Sequence, residues 1–464
     1  MLKKLWRKVA GKPAAEAVKT VLPFERHGFT ADHISFAAEK VVSRLQQAGY
    51  EAYVVGGAVR DLLIGAEPKD FDVATNATPE EVRAVFRRSR IIGRRFRIVH
   101  VMVGPETIEV TTFRGGGKAV QNEQGRIMKD NTYGTLAEDA GRRDFTCNAL
   151  YFDPVKGEII DFHNGVEDVK ARRLVMIGDP AERYQEDPVR ILRTARFAAR
   201  YGFEVAEETM YLMRQMVEAG EADALVAERV WQELAKGLME KQPRRMFEIL
   251  RECGALKVLL PEVDALFGIP QPAAHHPEID CGLHTLMVLQ RAADMNLGLP
   301  ARYAALLHDL GKALTPPDLL PKHHGHDLAG IAPVQTVNRR WRVPKQCAEL
   351  AELVCRWHIV LHNAFTLKTS TALTVLQKTD AFRRPERFRT ALDVCQADIQ
   401  GRLGRENAPY PQRAHWLALL EAAAQTDTAA IAAACEHPAD IPEAIRRARL
   451  EAIRPLHKAR TQTD

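Results

Sequence analysis

No two of the seven cysteines (147, 253, 281, 347, 355, 395 and 435) form a C-x-x-C pair, and their number is odd. Neither a disulfide framework nor a zinc finger is supported, and a reducing, cytoplasmic setting fits. No apolar run is long enough for a signal sequence or a membrane span, although Met1-Leu2-Lys3-Lys4-Leu5-Trp6-Arg7-Lys8 is basic and slightly amphipathic. A fixed-period repeat and a long low-complexity tract are also missing, which excludes a solenoid. Charge of one sign is not in excess: 65 Lys and Arg against 60 Asp and Glu leave +5 at pH 7. That permits a nucleic-acid partner without arguing for one. What is present is a chain of 464 residues with 46% hydrophobic content, enough for roughly two to four packed units.

The order of elements predicts an α+β head followed by helices. Residues 51 to 55, 69 to 75, 97 to 103 and 107 to 113 are short and β-rich, with a helix-like stretch from Pro79 to Arg88, so the first part reads as a small mixed sheet with helices. After about residue 180 apolar residues recur at helical spacing, as in Val189-Ile191-Leu192-Ala195-Phe197. Pro261, Pro270, Pro272 and Pro277, with Gly268, break that pattern and mark the best boundary. The expected divisions are a flexible basic leader (1–25), the head (26–180), a helical neck (181–260), a second helical domain (261–402) and a helical tail (403–464). No segment points to a stable protein partner.

The head carries the first set of chemical residues. Gly56-Gly57 follows the β-run Val54-Val55 and precedes a helical stretch containing Arg60, placing bare backbone N–H groups where phosphates bind well. A tight turn uses the same residues. Further on, Lys69-Asp70-Phe71-Asp72-Val73 sets two carboxylates at alternate strand positions, on one face. Like charges so close call for a cation, and hard oxygen ligands suit Mg²⁺, which also takes substrate phosphates. Glu109, in Ile108-Glu109-Val110-Thr111, is the candidate third acid. A solvated strand edge is the alternative for two isolated aspartates. The run from Arg87 to Arg97, including Arg94, Arg95 and Arg97, is charge-dense yet interleaved with apolar residues, and with Lys69 it is a candidate phosphate or RNA contact.

Arg142-Arg143-Asp144-Phe145-Thr146-Cys147-Asn148-Ala149-Leu150 and Glu186-Asp187-Pro188-Val189-Arg190 come next. Glycine pair, D-x-D, R-R-D-F-T-x-N-A and E-D-P-x-R in that order resemble the bacterial poly(A) polymerase and CCA-adding tRNA nucleotidyltransferase family, with its polymerase-β-like head, over nearly residues 20 to 450. The resemblance implies transfer of nucleotides to an RNA 3′ end (mRNA or tRNA), with ATP or CTP as donor and pyrophosphate leaving. It makes Asp70 and Asp72 the Mg²⁺ ligands, and with Glu109, the third acid read from its β-run, they form the expected catalytic set. Gly56, Gly57, Arg60, Arg143, Asp144, Asp187 and Arg190 become the nucleotide-binding set. Within it Arg143 and Asp144 contact triphosphate and ribose, and Asp187 and Arg190 read the base. Residues 187 and 190 stand three apart at a helix start with Pro188 in its first turn, hence on one face. Asp accepts from an exocyclic amine and Arg donates to ring acceptors, a polarity that suits adenine and cytosine but not guanine or uracil. A helix-surface salt bridge is the plainer account of that pair.

Two family branches meet in this chain. Ile91 to Val101 and Lys129 to Ala140 look like poly(A) polymerase segments, whereas from about Ile191 the chain looks like a proteobacterial CCA-adding enzyme. The head segments adjoin the chemistry, so the expectation inclines to poly(A) synthesis, with CCA addition as the alternative. A non-catalytic RNA-binding protein on the same scaffold, or an HD hydrolase alone, are the readings from other classes.

The second set lies downstream: His284, His308-Asp309, His323-His324-Gly325-His326, His358, His362 and Asp398. A His-Asp pair inside the apolar helix Ala304 to Lys312 is costly to bury unless it binds something. Imidazole with carboxylate suits Ni²⁺ or another divalent transition metal. The order H…HD…D resembles the HD phosphohydrolase superfamily in the form attached to some CCA-adding enzymes, with His284, His308, Asp309 and Asp398 at the matching positions. That resemblance implies 2′,3′-cyclic phosphodiesterase, 2′-nucleotidase and phosphatase activities.

Overall fold

The short β-rich runs of the first third pair into one sheet of eight strands. The computed structural model describes residues 19–93, 97–115, 120–121, 127–129, 133–177, 188–274 and 276–461. Residues 1–18 of the expected leader, Arg94, Arg95, Glu186 and Asp187 lie outside the described residues. The strands are β1 (Thr20–Leu22), β2 (Ala52–Val55), β3 (Asp72–Thr75), β4 (Ser89–Ile92), β5 (Ile98–Val103), β6 (Glu106–Thr112), the separate hairpin β7 (Val120–Gln121) with β8 (Ile127–Lys129), then β9 (Leu150–Asp153) and β10 (Glu158–Asp161). Their order across the main sheet is β1-β10-β9-β2-β3-β6-β5-β4. Only β3 with β6 pairs in parallel within that sheet; the other neighbours run antiparallel.

Alternation along the strands makes two layers. The helix Phe36–Gln47 is N-capped by Ser35 and buries Ala37, Ala38, Val41, Val42 and Leu45 against β2, β3 and β6. Every third or fourth residue is apolar, and that stripe covers one face of the sheet. Tyr53, Val55 and Ala74 project to the other face, into a core with Phe113, Leu136, Ala140 and Tyr151. Asp72 shares that second face with Ala74 by the two-residue period.

The chain divides into two compact units, Met1–Arg190 with Gly202–Ala219, and Ile191–Tyr201 with Gly220–Asp464. In the second, the helices Cys281–Asp294, Leu299–Leu307, Lys345–His362 and Pro385–Gln400 pack on one another. A further core of Leu361, Leu373, Phe388, Trp416 and Ile453 joins them to the helices Thr369–Lys378, Pro411–Ala424 and Ile441–Thr461. All seven cysteines are free, and six are buried. Among the described residues no helix is long and apolar enough to cross a membrane.

Three local expectations change. Strand β3 begins at Asp72, so Asp70 precedes it rather than sharing its pleat. The apolar helix expected through Lys312 ends at Leu307; Asp309 leaves helical geometry at φ −106°, ψ 11°, and a 3₁₀ turn takes over at Leu310–Leu314. Pro188 lies ahead of the helix Arg190–Tyr201 instead of in its first turn.

Candidate active sites of the head and the helical unit

Gly56 ends β2 with φ 74°, ψ −123°, a conformation open essentially to glycine alone. A Cβ there would stand 3.2 Å from Arg143 Nη1 and 3.5 Å from the Asn148 carbonyl oxygen. Its N–H donates to Leu150 O at 3.0 Å, which fastens the turn to β9. Gly57 then opens the helix Gly57–Leu63, on which Arg60 is buried. Arg60 donates to Asp61 Oδ1 through Nε and Nη2 and to Asn148 Oδ1 through Nη1. It braces the glycine turn from behind.

The parallel register sets Asp72 opposite Glu109, and Asp70 is near enough for its charge to act on Asp72. Partial desolvation, then the negative charge of Glu109, then that of Asp70, push the Asp72 carboxyl up to about 6 against the pull of Arg143. Its side chain still opens to solvent, as in a cleft rather than a core. A divalent cation relieves that repulsion, so the three acids fit one. Their oxygens do not gather within 4.8 Å, a closeness that only histidine-containing groups of the helical unit reach among the described residues. A loose set of acids suits Mg²⁺, which keeps waters and takes phosphate oxygens. His100 Nε2 lies 3.2 Å from Glu109 Oε1, a neighbour overlooked in the sequence although the β5–β6 hairpin pairs the two residues.

Arg143 donates to Asp139 Oδ2 and Tyr151 Oη and to Asn148 O at 3.2 Å. Asp144 Oδ1 accepts from Phe145 N–H and Asn148 Nδ2, both at 3.0 Å. Asn148 thus links Asp144 to Arg60, and the motif's residues form one network beside the glycine turn. Asp139, four residues before Arg143 on the helix Leu136–Arg142, was legible as an i,i+4 partner. Arg190 opens its helix, while its expected partner Asp187 is not among the described residues. Of the basic run, the described residues of β4 lie away from the acids. Arg87, Arg88 and Arg90 are exposed at or next to β4, the sheet's edge, three strand spacings or roughly 14 Å across from β3. Arg97 pairs with Glu80.

The pH response of the acids follows from their crowding. Below about pH 6 a proton competes with the cation for Asp72, so apparent Mg²⁺ affinity should fall by about tenfold per pH unit as pH drops further. Glu109→Gln removes one of the charges that raise Asp72 and should move that break to lower pH. The Mg²⁺ dependence of nucleotide incorporation, measured at several pH values, checks both; an affinity flat across pH 5 to 6.5 would refute the crowding account.

The four residues expected in the helical unit do come together. His284 Nε2 lies 3.1 Å from Asp398 Oδ1 and 3.9 Å from Asp309 Oδ2; His308 Nε2 lies 3.2 Å from Asp309 Oδ2. His308 Nδ1 faces Ala305 O at 2.8 Å, which turns the buried Nε2 towards the carboxylates, and two imidazoles with two carboxylates in one buried cluster are a donor set that fits a transition metal. Supporting residues were missed. Glu278 Oε1 holds His284 Nδ1 at 2.9 Å, Lys312 Nζ reaches Asp309 Oδ2 at 2.6 Å, and Tyr410 backs His362, which was in the expected set and meets Asp398 Oδ2 at 2.7 Å through Nε2. Burial alone would raise the Asp309 carboxyl, but His308 and Lys312 outweigh it and hold it well below the usual range. Of the run His323 to His326, His323 is tied to Thr315 and Pro270, whereas His326 faces Asp309.

Comparison with known proteins agrees with this two-centre arrangement. Residues 52–175 match the poly A polymerase head domain, 202–267 a probable RNA and SrmB-binding site of polymerase A, and 282–399 the HD domain. Those matches and the fold define an RNA 3′-end nucleotidyltransferase head followed by helices with an HD domain. The multifunctional CCA protein of Neisseria meningitidis serogroup C is 61% identical over 414 residues, 88% of this chain and 97% of the relative. That of Chromobacterium violaceum is 52% identical over 405 residues, 87% and 97%. The chain belongs to the family of these multifunctional CCA proteins, within the poly(A) polymerase and CCA-adding group. The fold is shared with the Bacillus stearothermophilus CCA-adding enzyme in complex with CTP (TM-score 0.64, 24% identity, 90% of this chain and 91% of that one). It is shared too with the Thermotoga maritima CCA-adding enzyme complexed with tRNA (TM-score 0.61, 17% identity, 95% and 99%).

Proposed function

We propose that the protein is a CCA-adding tRNA nucleotidyltransferase, which uses CTP and ATP to build and repair tRNA 3′ ends. The observation that carries this is the 61% identity over 414 residues, 88% of this chain, to one multifunctional CCA protein, a span that takes in both head and helical unit. A chain assembled from two branches would match different relatives in its two parts. The preference for poly(A) synthesis drawn from the head segments therefore yields to the alternative.

On this reading Asp70, Asp72 and Glu109 hold Mg²⁺, which supplies neutralising charge to the triphosphate. The RNA 3′-hydroxyl attacks the α-phosphorus, the bond to the bridging oxygen breaks, and pyrophosphate leaves. Gly56 and Gly57 let the nucleotide approach backbone N–H groups, Arg143 and Asp144 contact triphosphate and ribose, and Asp187 with Arg190 select adenine or cytosine. Asp72 set opposite Glu109, with Asp70 near enough to repel it, argues against a retired, purely RNA-binding scaffold.

Given a tRNA that lacks its terminal CCA, the purified protein should add two C with CTP alone, and a single A only after both C are in place. A long A ladder on unstructured RNA, with CTP ignored, would restore the poly(A) reading. The HD centre supports a second activity, hydrolysis of phosphate esters at RNA ends, because its buried donor set fits a metal that supplies an activated water. Metal-loaded protein should hydrolyse 2′,3′-cyclic AMP or p-nitrophenyl phosphate; inertness towards both removes this part of the proposal.

A further inference from the structure

We infer that the head binds an unpaired stretch of RNA in a basic cavity apart from its acids, between the helix Phe36–Gln47 and the turn that leads from the helix Pro79–Val85 into β4. The inference rests on the reading of the protein as an enzyme of RNA ends and goes beyond it by naming a second place where RNA is held.

The cavity measures about 480 Å³, and its wall includes Lys40, Arg44, Phe86, Arg87, Arg88 and Met102 but no acidic residue. Two separate segments supply the cations. Lys40 and Arg44 are exposed, one turn apart on the helix Phe36–Gln47, a spacing at which like charges repel. Arg87 and Arg88 follow the buried Phe86, where the chain leaves the helix Pro79–Val85. Among the described residues none of the four is paired with a carboxylate, whereas surface arginines elsewhere are: Arg342 with Glu228, Arg384 with Glu349 and Arg446 with Glu443. Cations gathered without a counter-charge repel one another, and a polyanion relieves that repulsion.

The groups are held in place by their neighbours. Arg44 lays its guanidinium over the Phe86 ring, with Cζ 5.3 Å from the centroid, and Nη2 donates to Val85 O at 3.5 Å. The Arg88 carbonyl accepts from Met102 N–H at 3.0 Å, which ties the arginine to the β5–β6 hairpin. Apolar surface lies beside the charge. Phe36, 68% exposed, stands one turn before Lys40, whose Nζ is 5.5 Å from its ring centroid, and Met102 is exposed as well. A basic groove edged by an open aromatic ring suits a single strand, whose phosphates follow the cations while an unpaired base stacks on the ring. A small anion would leave the ring and the second segment unused. The helix Phe36–Gln47 packs on the face of the sheet opposite that of Asp72, so RNA held beside it lies outside the catalytic cleft.

The test reads salt dependence. Full-length protein is titrated into a labelled, unstructured oligoribonucleotide, and separately into a tRNA lacking CCA, and fluorescence anisotropy is followed over a range of salt concentrations. Replacing all four cations together (Lys40→Gln, Arg44→Gln, Arg87→Gln, Arg88→Gln) should weaken oligoribonucleotide binding by roughly a hundredfold at about 0.1 M salt and flatten the slope of log K against log salt by about 3, the counterions of as many phosphates no longer being released. Phe36→Ser should weaken it by about tenfold and leave the slope as it was, because a stacked base releases no counterion. If the oligoribonucleotide is not bound, or is bound by the fourfold variant with the starting affinity and slope, the site is overturned, and the proposed enzyme stands so long as tRNA is bound. A starting protein that binds neither RNA overturns both. Vesicles of phosphatidylglycerol that bind the starting protein but not the fourfold variant, with RNA binding unmoved, would assign the cations to a membrane surface and overturn the RNA site.

Discussion

Asp72→Ala should lower nucleotide incorporation by about a thousand-fold or more, the equivalent of about 4 kcal/mol of transition-state charge stabilisation, and leave the folded protein as stable as before. The two halves of that result have separate causes. Asp72 opens to solvent and is held up to about 6 by desolvation and by the charges of Glu109 and Asp70. Its removal therefore relieves repulsion and empties no core. Transfer suffers because the carboxylate is fixed in the sheet between Val55 and Glu109, where it faces the other acids. Asp72→Asn keeps the shape and loses the charge, so it should be nearly as inactive as alanine. Incorporation of labelled CTP into a tRNA without CCA measures the loss, and the thermal midpoint measures stability. Hydrolysis of 2′,3′-cyclic AMP by the same samples should be unchanged. Transfer within tenfold of the starting protein would remove Asp72 from the proposed site.

What was legible in the sequence was chemistry carried on short local patterns. The short β-rich runs became β2, β3, β5 and β6, and the glycine pair fell just after one of them. Glu109 was readable as an acid on a β-run, but its place opposite Asp72 depends on a parallel pairing between strands 37 residues apart, which no local pattern encodes. The place of the arginine run in the sheet was hidden for the same reason. Composition cannot say that β4 lies at the sheet's edge. In the helical unit the H…HD…D residues were found, yet Tyr410 comes from a distant segment and joins only through packing, and Glu278, though just ahead of the helix that carries His284, reaches it through a turn that no pattern announces. Lys312 was within reach of inspection, three residues after Asp309 in an apolar stretch, where a buried ammonium needs a partner. The early end of the helix at Leu307 was not. Local propensity favours continuing it, and the contacts of Asp309 and the close approach at Gly311 overrule that preference.

Asp309→Ala should abolish hydrolysis of 2′,3′-cyclic AMP and also destabilise the protein by about 3–5 kcal/mol, the cost of leaving a buried charge without its partner. The stranded charge is Lys312, whose ammonium lies 2.6 Å from Asp309 Oδ2 and otherwise donates to Gln271 Oε1 at 3.0 Å. Burial alone would lower its pKa, but Asp309 outweighs that and raises it. The reverse change is milder. In Lys312→Met the carboxylate keeps His308, His326 and His358 around it, so the loss should be smaller. Combining the two should recover part of what Asp309→Ala alone loses, since the double variant buries no unpaired ammonium. Urea denaturation of the three variants and the starting protein gives the coupling energy directly. If the double variant is as unstable as the two single losses added together, Lys312 is not the charge that Asp309 neutralises, and the carboxylate's partners are the imidazoles alone.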